Sequence, residues 1–388
     1  MQTPKPWYSD CVLDPQIVMP QSLSDYRNPP AKIFMTGVTG FIGCYLLKEL
    51  LDTTDADIMV LVRAKDNITA WKKVKDQMNK FHLWSDSYSR RIAPLTGDLC
   101  KERLGLSEDC WRMLEERVDY IYHFGSYINL LMSYQILYPY NVLPVIELLK
   151  LASAQKKKLL IYSSVINVFN LSKTDPNLVI PEDYSADRID TVNSYGKTKW
   201  VADKLLQAAG GRGFAVELYR LPYVCGSFDT GYLGQKDFFW YILKICLQMG
   251  FAPDIDAEFP MIPVDCLARS IAAISLREKT EGCRYYTATG LQKITWRDIF
   301  EAFRNEGYQL NYLKLPQWQT HAADYLSNQQ DRSMIPLKMM LLHQMPFKSS
   351  SFDNKNFSSA LESPQQLDFS LQILVHAFKQ YIDRNHLI

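Results

Sequence analysis

The sequence lacks the features that would place the chain in a membrane, in the secretory pathway or on nucleic acid. No apolar run approaches the roughly 18 residues that a membrane-spanning helix needs. The first residues carry no charged-then-apolar signal segment. The 43 basic residues are balanced by 42 acidic residues, so no global field favours nucleic acid or an anionic membrane. We therefore expect a cytoplasmic protein without a nucleic-acid or membrane partner, and we expect it to be a monomer.

Patterns typical of metal sites and disulfide frameworks are missing as well. The eight cysteines lie far apart and form no Cys-x-x-Cys pair, and the six histidines have no metal-ligand spacing. In a chain of 388 residues this usage favours reduced thiols and predicts no metal site. The chain is also longer than the size at which a single hydrophobic core usually suffices. We therefore predict one large domain with a smaller domain appended.

What the chain does contain, from Ile33 onward, is an alternation of apolar strands and helical patterns. The predicted strands are Ile33–Met35, Ile58–Val62, Ala93–Leu95, a segment starting at Tyr120, Leu159–Tyr162, a segment starting at Leu221, and Tyr285–Ala288. These strands are apolar throughout rather than alternately polar, which is typical of a parallel sheet covered on both faces. The fold class is therefore α/β, with a doubly wound parallel sheet.

Three glycines stand between the first strand and the first helix, with the spacing Gly37-x-x-Gly40-x-x-Gly43. In a dinucleotide-binding turn one glycine allows positive φ, a second admits the pyrophosphate, and a third lets the helix pack closely on its strand. Three glycines can also mark an ordinary turn that binds no ligand, so this interpretation needs support from elsewhere in the chain. The turn residues predicted to bind the cofactor are Gly37, Thr39, Gly40, Phe41, Ile42 and Gly43.

The end of the second strand indicates which dinucleotide fits. In an NAD site, an Asp or Glu about 20 residues after the glycines accepts hydrogen bonds from the ribose hydroxyls. Here Val62 is followed by Arg63, and no acid occurs until Asp66. A guanidinium can meet a 2′-phosphate bidentately, and Lys73 would add a second cation. A lone Arg after a strand can equally be a surface residue, but with the glycine turn it predicts NADPH.

The catalytic signal is Tyr195-Gly-Lys-Thr-Lys199, because residues four apart share one face of a helix. A free phenol has a pKa near ~10, and a nearby ammonium favours the phenolate, so we expect Lys199 to lower the pKa of Tyr195. The usual third member of such a site is a hydroxyl at the end of the fifth strand, which donates to the carbonyl oxygen where negative charge develops. Ser163 and Ser164 are the candidates.

These residues resemble the extended short-chain dehydrogenase/reductases. Within them they resemble the thioester reductase domains that terminate nonribosomal peptide and polyketide synthetases. The resemblance spans roughly residues 12 to 310. Its landmarks are Val12–Pro15, Thr36–Gly43, Leu61–Ala64, Gly97–Leu99, His123–Asn129, Asn141–Val142, Tyr195–Asp203, Tyr219–Leu221 and Ile262–Asp265. It implies further cofactor contacts from Asp98, Leu99, Ser126, Pro222 and Val224, beside Tyr195 and Lys199.

The chain departs from the family pattern at the expected hydroxyl. When the segments are aligned on Val168-Phe169, the usual Ser-Thr pair falls on Ser164 and Val165, and a valine cannot donate. We therefore predict Ser164 as the catalytic hydroxyl. The alternatives are Ser163, or an oxyanion held by Tyr195 and backbone amides alone.

A second departure follows Asn141. The family tends to have Asn-Val-x-Gly-Thr where this chain has Asn141-Val-Leu-Pro144-Val. A proline fixes φ and lacks an amide donor, so we expect the start of that helix to be shaped differently.

The resemblance implies an NADPH-dependent reductase that releases a carrier-bound acyl or peptidyl thioester as an aldehyde, and possible further reduction to an alcohol. Its partner would be an acyl or peptidyl carrier protein with a phosphopantetheine-tethered substrate, docked on a basic surface for which we choose Lys236 and Lys244. One alternative is an extended dehydrogenase that acts on a free small molecule or a nucleotide sugar. Another is a redox-silent module that condenses or releases the acyl or peptidyl group without reducing it.

The expected organisation has three parts. Residues 1–30 form a leader packing on the surface, and residues 31–228 form the NADPH-binding Rossmann-type domain, with returning segments near 262–290. Residues 229–388 form a smaller, mainly helical domain that faces substrate and carrier.

Overall fold

A seven-stranded parallel sheet forms the centre of the computed structural model, which describes residues 5–169, 178–189, 193–235, 237–277, 279–328 and 351–388. Its strands are β1 (Lys32–Thr36), β2 (Asp57–Val62), β3 (Ile92–Thr96), β4 (Tyr120–His123), β5 (Leu159–Val165), β7 (Ala215–Leu221) and β11 (Cys283–Thr287). Their spatial order is β3-β2-β1-β4-β5-β7-β11, and every neighbouring pair is parallel. The strand order reverses between β1 and β4, which confirms the doubly wound fold.

Within the described ranges, six further short strands pair outside this sheet. They are β6 (Val179–Ile180) with β13 (Ser351–Phe352), β8 (Tyr223–Cys225) with β10 (Met261–Pro263), and β9 (Phe251–Pro253) with β12 (Asn311–Leu313).

The α-helices alternate with the strands through most of the chain. They are α1 (Pro6–Asp10), α2 (Phe41–Thr53), α3 (Asn67–Lys80), α4 (Glu108–Arg117), α5 (Tyr134–Asn141), α6 (Leu143–Ala152), α7 (Ser194–Gly210), α8 (Phe238–Met249), α9 (Val264–Ser275), α10 (Trp296–Asn305), α11 (Leu315–Ser327), α12 (Lys355–Ser359) and α13 (Leu371–Arg384). Short 3-10 helices cover Asp86–Arg90, Glu102–Gly105, Ile166–Phe169 and Pro364–Leu367.

Two cores lie on opposite faces of the sheet. Along β1, Ile33 and Met35 join the core covered by α2, α3 and α9, whereas Phe34 joins the core covered by α4 to α7. Successive side chains of a strand point to opposite faces, so strands buried on both sides must be apolar at every position. This is the physical origin of the unbroken apolar runs in the sequence.

A third core is built from helices α8, α10, α11 and α13. The side chains of Phe239 and Trp240 are buried there, and the rings of Phe259 and Trp296 lie 4.3 Å apart. Thr295 caps α10 in a reciprocal capping box with Asp298.

The first part of the segment before β1 packs on the face covered by α7. Leu13 and Ile17 are buried in that core. The guanidinium of Arg212 donates to the carbonyl oxygens of both residues, at 3.0 Å each. The segment is thereby attached to the loop that follows α7.

Helix α1 rests directly on α7. The rings of Tyr8 and Trp200 meet edge-on at 5.7 Å, and the Lys197 ammonium lies 4.5 Å from the ring centroid of Trp7. Trp200 is itself buried and donates its indole N–H to the carbonyl of Ala186.

The sixth strand of the sheet differs from the sequence-based prediction. The prediction begins the strand at Leu221, but β7 ends at that residue. Pro222 has no amide hydrogen to continue the ladder, and the following strand β8 pairs with β10 instead. The predicted segment is therefore the exit from the sheet rather than a strand within it.

A buried ion pair connects α7 to β7. Arg220 Nε donates to Asp203 Oδ2 at 3.0 Å, and both side chains are buried. The Arg220 guanidinium also donates to the carbonyl of Glu182 at 2.6 Å and lies 4.8 Å from the ring of Phe169. Burial raises the pKa of Asp203 although the charge of Arg220 opposes the shift. Such a pair contributes little net stability but becomes costly when one partner is removed.

Replacing Arg220 with Met should therefore lower the free energy of unfolding by about 3–5 kcal/mol, because it leaves the Asp203 carboxyl buried without its partner. The control is Lys379→Met, which breaks the exposed i,i+4 pair with Asp383 and should change little. Urea unfolding of both variants measures the difference. Equal stabilities would contradict the account of the buried pair.

Candidate active site

The glycine turn joins β1 to α2 at the carboxyl edge of the sheet. Gly37 has φ +82°, and a side chain there would overlap the backbone of Phe124. A side chain on Gly43 would overlap the carbonyl oxygen of Gly37. Gly40 is the N-cap of α2 and offers no side-chain oxygen to the first helical amides. The N-terminus of α2 is therefore free to bind an anion, and the residues present fit the pyrophosphate of a dinucleotide.

The predicted adenosine side of the site lies at the ends of β2 and β3. Arg63 is exposed directly after β2, and Lys73 Nζ donates to the carbonyl oxygen of Arg63 at 2.7 Å. The structure thus places the Lys73 ammonium beside the backbone of Arg63. Asp98 accepts from the amide of Cys100 at 3.2 Å, which fixes the loop after β3. Leu99 lies close to Gly125, in the loop after β4.

One face of α7 carries Tyr195, Lys199 and Asp203, each four residues from the next. Tyr195 is 6% exposed and Lys199 is 2% exposed. The Lys199 ammonium donates to the carbonyl oxygen of Ser163 at 2.8 Å and lies 4.7 Å from the centroid of the Tyr162 ring. Helix α7 is thereby attached to the end of β5.

Burial controls the titration of this face. Desolvation raises the pKa of Tyr195 to about 12, although a hydrogen bond with Ser126 opposes the rise. Desolvation lowers the pKa of Lys199 to about 8, with Asp203 acting in the other direction. The predicted lowering of the Tyr195 pKa is therefore not what the structure gives, because burial outweighs the other influences. At neutral pH the phenol keeps its proton and is available as a donor.

The two serines at the end of β5 have different partners. Ser164 Oγ donates to Asp203 Oδ1 at 2.5 Å, inside the buried network around Arg220. Ser163 Oγ donates to the carbonyl oxygen of His123 at 3.3 Å. The role of Ser164 as the catalytic hydroxyl stays a prediction, and its side chain is engaged by a structural carboxylate.

The loop after β4 lies against the glycine turn. Gly125 lies against Gly37 and donates its amide to Thr36 Oγ1 at 3.2 Å. The next residue, Ser126, is half-buried, and its side chain opposes the rise in the pKa of Tyr195. The family resemblance implies that Ser126 contacts the cofactor, and this role stays a prediction.

Asn141 is a positioning residue whose contacts the sequence analysis missed. Its side chain accepts from the amide of Tyr127 at 2.8 Å and donates to Thr198 Oγ1 at 3.0 Å. It therefore ties the loop after β4 to α7. A single Asn in an otherwise apolar and aromatic stretch could have indicated these contacts, because a buried side-chain amide has to be hydrogen-bonded.

Pro144 lies in the first turn of α6, and Val142 joins α5 to α6 with φ −108° and ψ −51°. Two short helices, α5 and α6, meet at Val142, and the expected difference from the family stays a prediction. Asn141, the last residue of α5, is thereby held at the joint.

The remaining predicted residues lie around this edge. Thr39 is exposed in the glycine turn, and Phe41 and Ile42 begin α2. Pro222 and Val224 follow the carboxyl end of β7. Lys236 lies outside the described residues, and Lys244 is partly buried on α8.

Among the helices within the described ranges, none combines the length and the apolar character required to cross a membrane.

Comparison with known proteins gives consistent matches. A NAD-binding family model described as male sterility protein matches residues 35–271. The crystal structure of the terminal R domain from the myxalamid PKS-NRPS biosynthetic pathway superposes with a TM-score of 0.89 at 29% identity, covering 99% of this chain and 98% of that domain.

Two larger proteins match over part of their length. A linear gramicidin synthase from Brevibacillus parabrevis is 30% identical over 80% of this chain, which spans 6% of that synthase. The large component of L-2-aminoadipate reductase from Eremothecium gossypii is 30% identical over 87% of this chain, which spans 26% of that reductase. The chain thus corresponds to a small part of each of these relatives.

Replacing Gly43 with Ala should destabilise the protein by about 1–3 kcal/mol, because the added methyl group forces α2 away from the turn. Gly211→Ala is the matched control, since a methyl group there meets its nearest atom at 3.5 Å and the backbone has φ −65°. Thermal unfolding monitored by circular dichroism measures both. An unchanged melting temperature for Gly43→Ala would show that the close helix–turn packing is not required.

Proposed function

The chain belongs to the thioester reductase domains of the extended short-chain dehydrogenase/reductase family, and we propose that it uses NADPH to release a carrier-bound acyl or peptidyl thioester as an aldehyde. One observation carries the proposal. Tyr195 and Lys199 are buried on one face of α7, and the loop after β4 both lies against the glycine turn and is tied to α7 through Asn141.

The glycine turn and the amides at the start of α2 would hold the pyrophosphate of the cofactor. Arg63 and Lys73 would meet its 2′-phosphate, and Lys199 would bind the nicotinamide ribose. Asp98, Leu99, Pro222 and Val224 are the further proposed contacts. When bound, the reduced nicotinamide supplies a hydride to the thioester carbonyl carbon.

The protein supplies the proton. As the carbonyl carbon gains a hydrogen and its C=O π electrons move to oxygen, the Tyr195 phenol donates its proton to that oxygen, which gives a thiohemiacetal. The C–S bond then breaks, the hydroxyl proton leaves, the sulfur takes up a proton, and aldehyde and free thiol result. Tyr195 recovers its proton from solvent. The high pKa of this phenol supports the role of acid, because a donor has to hold its proton until the oxygen becomes basic.

Two alternatives remain distinct from this proposal. A dehydrogenase acting on a free small molecule or nucleotide sugar would share the cofactor site, whereas a redox-silent condensing or releasing module would not need Tyr195. The burial of Tyr195 and Lys199 on one face favours redox chemistry over the silent module. The family favours a carrier-bound substrate over a free one.

In this proposal, residues 31–228 bind the cofactor, and residues 229–388 bind the substrate and the carrier. A tethered substrate arrives at high local concentration, so docking of the carrier can supply much of the specificity. Lys244 on α8 remains our choice for part of a basic docking surface.

Replacing Arg63 with Ala should weaken NADPH binding by roughly 1.5–3 kcal/mol, the usual contribution of a hydrogen bond to a charged group, and should leave NADH little changed. Fluorescence titration with both nucleotides measures the difference. Lys65→Ala removes an exposed charge two residues away and should affect neither nucleotide. Equal losses of NADPH and NADH affinity in Arg63→Ala would contradict the assignment.

The function itself is tested with a carrier protein loaded with candidate acyl groups. Addition of NADPH should return the carrier to its free-thiol mass, release an aldehyde and oxidise one NADPH per thioester, and Tyr195→Phe should bind NADPH but not react. The same acyl group on a short pantetheine thiol should react with a much lower kcat/KM, and added salt should reduce the advantage of the carrier by screening docking charges.

If carrier and pantetheine substrates react equally well at low salt, the carrier is not a partner. Reaction with a free carbonyl compound but not with thioesters would favour the dehydrogenase alternative. Loss of the acyl group without oxidation of NADPH would favour the redox-silent module.

A further inference from the structure

The loop after β4 and the start of α5 carry a group of exposed apolar side chains. Ile128 is 66% exposed, Leu130 49%, Leu131 85% and Ile136 52%. In the described ranges, no other stretch of ten residues holds more than two exposed large hydrophobic side chains. Single exposed leucines are common on protein surfaces, whereas several on one short connection indicate a surface that binds an apolar group. We call these four residues the apolar surface.

The connection that carries the apolar surface is held by hydrogen bonds. Asn129 Oδ1 accepts from the amides of Leu131 and Met132 at 3.0 and 3.1 Å, which fixes the tip of the loop. Tyr134 Oη donates to Asp10 Oδ2 at 2.8 Å, which fixes the start of α5. A surface held in this way does not have to be ordered before it binds a ligand, so less entropy is lost on binding.

The same connection borders the proposed reaction site. Its loop includes Gly125, whose backbone meets that of Gly37 in the glycine turn. Two residues later, the amide of Tyr127 donates to Asn141, which in turn donates to Thr198 Oγ1 on α7 at 3.0 Å. Helix α5 also packs on α7. The loop therefore runs from the proposed pyrophosphate site to the helix that carries the proposed proton donor, and a substrate carbonyl between them lies beside it.

The chemistry of this connection fits an uncharged, apolar ligand. Residues 124–146 contain no Asp, Glu, Lys, Arg or His. Asp10, which a hydrogen bond brings to Tyr134, is an anion and would repel a second carboxylate. A charged group placed on the apolar surface would lose hydration without gaining a partner from this stretch, whereas a hydrocarbon chain would remove apolar area from water.

We infer that the apolar surface binds the acyl chain of the thioester and selects an uncharged, apolar chain over one that ends in a charged group. This inference rests on the proposed reductase function and narrows its substrate class. It adds the loop after β4 to residues 229–388 as a part of the protein that contacts the substrate. No bond is made or broken at this surface, so the atom balance of the reduction is unchanged.

The test uses a carrier protein loaded with a hexanoyl or an adipoyl group, which differ only in a terminal methyl group and a terminal carboxylate. The unaltered protein should show a kcat/KM for hexanoyl about tenfold higher or more, the discrimination that a methyl-sized difference provides in an apolar site. Ile128→Lys should lower this ratio about tenfold, because its ammonium attracts the adipoyl carboxylate.

Val18→Lys is the matched control, because Val18 is also exposed. The neighbouring amide of Met19 donates to the carbonyl oxygen of Arg212 at 3.4 Å, in the loop after α7. Val18 therefore lies near the end of α7 opposite Tyr195, and Val18→Lys should keep the hexanoyl-to-adipoyl ratio of the unaltered protein.

Three kinetic results would overturn the inference. The first is an equal kcat/KM for hexanoyl and adipoyl in the unaltered protein, and the second is an unchanged ratio in Ile128→Lys. The third is a loss in Ile128→Lys that affects both carrier-bound groups equally and neither group on a short pantetheine thiol. That pattern would make the apolar surface a docking site for the carrier protein.

A binding measurement separates this inference from the proposed function. In protein labelled with carbon-13 at the isoleucine Cδ1 methyl groups, Ile128→Val identifies the resonance of Ile128. Hexanoyl-pantetheine amide, in which nitrogen replaces the sulfur, should shift this resonance, and the adipoyl amide should shift it less at the same concentration. Ile68 lies on α3, on the other face of the sheet, and its resonance should stay in place.

No shift of the Ile128 resonance would overturn the inference, whatever the reaction. A shift that is larger with the hexanoyl amide, in a protein that oxidises no NADPH with either thioester, would support the apolar surface and place the failure in the proposed function.

Discussion

The site depends on the parallel pairing of β1 with β4, which brings the chain segments after both strands to the same edge of the sheet. Gly37 and Gly125 meet there with no room for a side chain between them. The loop that lies against the glycine turn is also tied to α7, because Asn141 binds both Tyr127 and Thr198. Because the contact between Gly37 and Gly125 is between backbones, the position of this loop against the glycine turn is set by the fold rather than by adjustable side chains.

Burial is the dominant electrostatic influence around this contact. It raises the pKa of Tyr195 to about 12, lowers the pKa of Lys199 to about 8, and lowers the pKa of His123 to about 3. His123 is therefore neutral, and its Nδ1 lies 2.7 Å from Thr36 Oγ1, the same hydroxyl that accepts from the amide of Gly125. Neutral groups hold the loop after β4, whereas formal charge lies on Lys199 and on the Asp203–Arg220 pair.

Much of this arrangement follows from local sequence patterns. Unbroken apolar strands predict the parallel sheet, glycine spacing predicts the turn before α2, and a four-residue spacing predicts that Tyr195 and Lys199 share a face. The hydroxyl could not be chosen this way, because a one-residue difference in register moves a side chain to the other face of a sheet. The pKa of the phenol could not be predicted either, since desolvation depends on residues distant in sequence. Pro222 indicates the end of β7, but the apolar residues beside it resemble the start of a strand.

The contact between α1 and α7 has a practical consequence for where the domain starts. Trp7 and Tyr8 cover the outer side of the helix that carries Tyr195 and Lys199 on its inner side. A recombinant fragment that began at β1 would keep every cofactor motif and still expose Trp200 and the apolar surface beneath Leu13 to water. A fragment that keeps this packing has to include Pro6, and a domain fused before α1 would be connected to the outer side of α7.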